Sequence, residues 1–269
     1  VTRIAGLRGA RESHEPRLLL SGFREDTVTP PESWDGTHGI TSWGMDGNDQ
    51  YGDCGPAATD HGDMAKADDP ALLGTLGEPK YSGTLATYFA YGIAQGEPGP
   101  NPDEGVDNAS WLGFLWKNGL IEGYGEVPLD QIREYAVLFD GLLIACQLSD
   151  EAEQEFEAGQ PWNWSASEPP DPNDGHDVLL IQYADDGGVT VVTWGALQKC
   201  TAAWVEHNVT DAWAILTAED AKRAGVNWAA LIASLQAVHG MIPGSAPPVP
   251  APAAGGCNLL MSALAALLR

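Results

Sequence analysis

The stretch Asn48-Asp49-Gln50-Tyr51-Gly52-Asp53-Cys54-Gly55-Pro56 constrains this chain more than any other. Asp53 is a residue type that caps helix N-termini, and Pro56 suits a first helical turn, where its missing N–H costs nothing. The run Ala57 to Ala67 reads as that helix. Cys54 therefore stands at or just before a helix N-terminus, where unpaired N–H groups and the helix dipole favour a thiolate. Gln50 or Asn48 supplies an amide just upstream, able to donate to an oxyanion formed beside the sulfur. A lone cysteine is more often a small buried residue than a reactive one. The cap, the upstream amide and a downstream histidine set the chemical reading of Cys54 beside that one.

Taken in order, the chain divides into three regions. Residues 1–42 show no sustained period, and Thr29-Pro30-Pro31 breaks any regular element, so they read as an extended arm. It is basic: Arg3, Arg8, Arg11, Arg17 and Arg24 are five of the 13 cations in the chain. Residues 43–242 read as the domain proper. After the Cys54 helix, helical spacing recurs over Thr84 to Ala94, Ala109 to Asn118, Leu129 to Phe139 and, in a charged turn, Asp150 to Ala158. An apolar strand is expected over Gly141 to Leu148. The Pro/Asp/Asn-rich loop of residues 168–175 leads to His176 and a β-rich run from Asp177 to Tyr183. The turn Asp185-Asp186-Gly187-Gly188 and a strand from Val189 to Trp194 complete a hairpin. Thr201 to Trp204 is too short to assign, and Ala212 to Leu216 reads as a last strand. Helices follow over Thr217 to Ala224 and Trp228 to His239. Helices first and an antiparallel sheet second make an α+β fold. Residues 243–269 are a Pro/Ala linker followed by a short apolar helix candidate, a natural docking element for a partner groove.

Charge narrows the function classes. Against 13 basic residues stand 38 acidic ones, a net charge of −25. Such a body repels nucleic acid and anionic membranes, while the Arg-bearing arm is suited to an acidic neighbour. No apolar run approaches the roughly 20 residues that span a membrane, and Val1 to Ala10 lacks the apolar core of a secretory signal. A soluble protein is expected. Cys54, Cys146, Cys200 and Cys257 are widely spaced, which fits neither a disulfide scaffold nor a zinc finger. Asp171, Asp174, His176 and Asp177 lack the spacing of a calcium loop, and no cofactor is expected. His61 lies two helical turns beyond Cys54, about 10 Å along the axis, and reads as structural.

Gln50…Cys54-Gly55, then Gly175-His176, then Thr193-Trp194-Gly195 together resemble the papain-like cysteine peptidase fold, over about residues 43–216. The resemblance implies Cys54 as nucleophile, His176 as base and then acid, and Gln50 or Asn48 as oxyanion donor, acting on a peptide-like amide. In that family an Asn two residues before the Trp-Gly pair orients the histidine. Here that position holds Val192, which cannot, and strand alternation puts Thr193 on the other face. Asp177 likewise falls opposite His176. The Gly-Asp-Cys motif followed by small residues also looks like papain-fold proteins of actinobacterial phages. Two functions follow as expectations. One is a cysteine peptidase or amidase. The other is a weakly active or inactive papain-fold structural protein of a phage particle, docked on neighbouring subunits through its arm and apolar tail.

Overall fold

The computed structural model describes residues 17–24, 28–66 and 77–240, with the backbone alone for 77–82. The arginines Arg3, Arg8 and Arg11, the linker and apolar tail after residue 240, and Cys257 lie outside the described residues.

The helical half comes first. Helix α1 is Cys54–Lys66, α2 is Gly77–Ala94 and α3 is Asn108–Lys117. Helix α3 starts where the sequence supplies a cap: the Asp107 carboxylate accepts the backbone N–H of Ser110. The sheet half consists of β1 (Trp34–Asp35), β2 (Gly123–Glu126), β3 (Leu142–Gln147), β4 (Gly175–Tyr183), β5 (Val189–Thr193), β6 (Ala196–Cys200) and β7 (Val209–Leu216). These form one antiparallel sheet in the order β2-β7-β3-β4-β5-β6, with β1 paired to the end of β4. Short helices α4 (Ile132–Phe139), α5 (Ala152–Glu157), α6 (Ala202–Asn208) and α7 (Ala218–Arg223), and the longer α8 (Trp228–Val238), fill the connections and flanks. The α+β layout expected from the sequence is the one observed.

β1, which brings part of the expected arm into the sheet, and three further elements differ from the sequence reading. β2 carries two glycines and no β-branched residue, so it has no strand signature of its own; pairing with β7 makes it a strand. The segment at Thr201 extends into α6, with Thr201 as its cap. The chain also returns after Thr193 as β6, which the sequence reading did not contain.

α1 packs mainly on β4, with β3, β5 and α2 as further neighbours. The contact is apolar: Met64 and Ala65 of α1 meet Leu179, Ile181, Val192 and Trp43. The opposite alternation set of β4 and β5, Val178, Leu180 and Val191, belongs to the main core with Trp162, Trp194 and Trp204. β4 is thus buried on both faces, and each of its side chains is committed to one side.

The described part of the arm lies against the body. Arg17 reaches Glu126 at 2.9 Å and Asp211 at 3.5 Å, and lies over the Trp213 ring. Arg24 is buried, paired with Glu134 at 2.8 Å and set over Tyr135. Glu126 donates its backbone N–H to the carbonyl of Leu18, so the arm continues the sheet beyond β2.

Candidate functional site

Cys54 is the first residue of α1, as the Asp-Cys-Gly-Pro signature predicts. Only 6% of its surface is exposed. Its sulfur does not gain the low pKa that a helix N-terminus alone confers. Burial drives the thiol well above its ordinary value and the charge of Asp177 adds to this, against the backbone N–H groups of Asp177 and Gly55, which pull the other way. The helix terminus acts in the expected direction, but desolvation outweighs it.

His176 begins β4 and is 2% exposed. Its Nε2 lies 2.7 Å from Thr193 Oγ1. Its ring stacks on Trp194 at 5.1 Å between centroids, with Trp162 edge-on at 6.4 Å. Nδ1 has no hydrogen-bond partner. Burial pulls the imidazole down to about 3, so the ring is neutral at physiological pH. Here the sequence reading is corrected. Thr193, not the residue at 192, shares the face of His176. The register pairs Leu179 with Val192, which puts Val192 on the side of Leu179 and Thr193 on the side of Val178 and His176.

The two expected partners are not brought together. Among the described residues no hydrogen bond joins Cys54 to His176. The Cys54 thiol donates instead to Asp177 Oδ2 over a long 3.9 Å, and Asn108 Nδ2 donates to Asp177 Oδ1 at 2.7 Å. The physical reason is strand alternation: α1 packs on the Asp177 side of β4, and His176 points to the tryptophan side. Half-buried Asp177 is itself pushed up to about 7. Burial is the main cause; the Asn108 hydrogen bond opposes it, and the charges of Asp211 and Asp107 reinforce it. Gly55 is required by the closeness of this junction. A Cβ there would stand 2.4 Å from Val106 Cγ2 and 3.0 Å from Asp177 Oδ2.

Neither upstream amide reaches the sulfur by a hydrogen bond. Gln50 is exposed. Asn48 is buried and donates to the Tyr51 carbonyl at 3.3 Å and to Asp53 Oδ1 at 3.4 Å. A chain of tight turns from Met45 to Tyr51 curls the Asn48 amide back onto Asp53. Asp53 is fully buried, and burial lifts its carboxyl to about 8.

Asn108 is absent from the sequence reading, which sets Asp177 opposite His176 without giving it a place beside Cys54. The signal was present: in His176-Asp177-Val178-Leu179-Leu180-Ile181 a carboxylate interrupts an otherwise apolar strand. His61 holds the structural place expected of it, with Nε2 at 3.1 Å from Asp46 and 3.2 Å from the Gly44 carbonyl. Cys54, Cys146 and Cys200 are free thiols, and the described residues contain no group of His, Cys, Asp and Glu able to hold a metal ion. No helix among them is long and apolar enough to cross a membrane.

No protein-family model and no curated protein matches the sequence. Among solved structures, the chain is similar to xylellain, a cysteine protease from Xylella fastidiosa. The TM-score is 0.54 and the identity 12%, over 80% of this chain and 97% of that one. At that identity the likeness is one of fold. A cysteine opening the central helix of the helical half, packed on a mainly second-half antiparallel sheet, gives this chain the papain-like α+β fold.

Proposed function

We propose that this papain-like domain works by binding protein partners and not by acyl transfer at Cys54. One observation carries the reading: the Cys54 thiol is buried against the Asp177 carboxyl and makes no hydrogen bond to His176. A nucleophilic thiol needs a base within hydrogen-bond reach and access for a carbonyl carbon. Arg17 and Arg24 are paired within the chain, so the segments suited to partners are the start of the arm, with Arg3, Arg8 and Arg11, and the apolar tail; on the phage reading those partners are neighbouring particle subunits.

A second reading, a peptidase or amidase, is favoured by His176. Its Nε2 is fixed by Thr193, its ring is roofed by Trp194, and its Nδ1 is unpartnered. That is the posture of an oriented base lacking its thiol.

The rate of Cys54 alkylation by iodoacetamide against pH, read on the Cys54 peptide by mass spectrometry, separates the two. The binding reading expects a rate that rises only above the ordinary thiol value of about 8.5 and is unchanged by His176→Ala. A reaction already fast near pH 6 and slowed by His176→Ala would overturn it in favour of the hydrolase.

A further inference from the structure

Asp177 is the polar exception on the α1 face of β4. The next positions on that face, Leu179 and Ile181, lie in the apolar contact with Met64 and Ala65. A carboxyl in such a place is costly unless held, and this one is held from several elements. Asn108, the first residue of α3, fixes Oδ1 at 2.7 Å. Cys54, the first residue of α1, donates to Oδ2. The start of α1 lies close to the same oxygen: a Cβ at position 55 would stand 3.0 Å from it, and 2.4 Å from Val106 Cγ2. Asp107 at the α3 cap and Asp211 on β7 face it as further negative charges. Arg17 of the arm offsets Asp211 at 3.5 Å. The thiol is therefore committed to an acceptor that cannot turn away.

We infer that Asp177 is a positioning residue that keeps Cys54 unreactive, anchoring the thiol on a carboxyl that Asn108 fixes in place. The inference rests on the reading that the resting thiol is not engaged with His176. Two effects act in the same direction. The thiol must give up its hydrogen bond to ionise, and a thiolate would then face a carboxylate at close range. Without the carboxyl the sulfur keeps the backbone N–H groups of Asp177 and Gly55, which favour the thiolate. Loss of the carboxyl thus removes the charge that raises the thiol next after burial, while burial, the larger influence, stays.

The test is alkylation at pH 7.5 of the full chain, wild type, Asp177→Asn and Asp177→Ala, with the Cys54, Cys146 and Cys200 peptides followed separately. Each unit of thiol pKa is worth about tenfold in thiolate, so the expected result is Cys54 reacting about tenfold faster or more in both variants. Cys146 and Cys200, fully buried in the core, should stay at their wild-type rates. The near-isosteric Asp177→Asn guards against a fold lost in Asp177→Ala. A smaller increase in Asp177→Asn, or an increase shared by all three cysteines, overturns the inference, because the carboxyl would then be only a structural brace. The wild-type rate decides how the resting thiol is read; the ratio of variant to wild type decides the role of Asp177.

Discussion

Thr193 anchors His176 through Nε2. A buried imidazole has two nitrogens to satisfy, and the Thr193 hydroxyl serves Nε2 while Nδ1 goes without a partner. Thr193→Val keeps the side-chain shape and leaves both nitrogens unpaired in the core, a loss of about 1–3 kcal/mol. Urea denaturation should show a lower midpoint for Thr193→Val with an unchanged slope, while Thr193→Ser retains most of the stability. Equal midpoints for Thr193→Val and wild type would mean that the hydroxyl contributes nothing. At this scale the sequence was partly legible. Cys54 at a helix start follows from local cap chemistry. Thr193 is set on the wrong face from the sequence, because placing it beside His176 requires the β4–β5 register, which adjacent letters do not contain.

The β5–β6 hairpin is the element that reshapes the sequence reading most. Trp194 and Gly195 both have positive φ, 46° and 75°, and Thr193 pairs with Ala196. This is a two-residue turn of the kind whose twist matches a hairpin. Gly195 meets that demand and leaves room for the Gly44 carbonyl, which a Cβ would approach to 2.9 Å. Gly195→Ala should destabilise by about 1 kcal/mol or more, read as a lower thermal midpoint. A neutral result would show that the turn relaxes. The Thr-Trp-Gly triplet was read as the end of a strand because tryptophan is a strand former and rarely takes the left-handed region. Packing of its ring on His176, Trp162 and Phe156 holds it there. The long amphipathic helices were legible from period alone; β2 and β6 depend on neighbouring strands.

Across the whole molecule, buried titratable groups oppose one another in pH. His176 has a folded value of about 3, below its ordinary 6.5. Its contribution is complete above pH 6.5 and is lost as pH falls through 3. Asp53 at about 8 and Asp177 at about 7 are raised above 3.8, so their contribution is complete below that value and is lost as pH rises through 7 to 8. From these groups, stability peaks at about pH 4, above which the two carboxyls lose more than the histidine gains, and the net charge of −25 adds self-repulsion at higher pH. Asp53→Asn removes the alkaline loss at one fully buried site. Its thermal midpoint should gain on wild type between pH 4 and 8, with the gap constant beyond. A gap that does not change with pH would mean that Asp53 titrates as in the unfolded chain.

The sequence by itself determined the helical first half, the antiparallel second half, the helix start at Cys54 and the acidic character of the body. These rest on caps, hydrophobic period and composition, which act over a few residues. Tertiary structure decided the chemistry of the site. Position 176 or 177 could have faced Cys54, and a one-residue difference on a strand changes the face. Apolar packing of α1 on Leu179 and Ile181 chose the Asp177 side, and the Trp162 and Trp194 cluster took His176 on the other. The burial that fixes both residues also outweighs the helix terminus in setting the state of the thiol, because desolvation depends on everything packed around the sulfur and not on its neighbours in sequence.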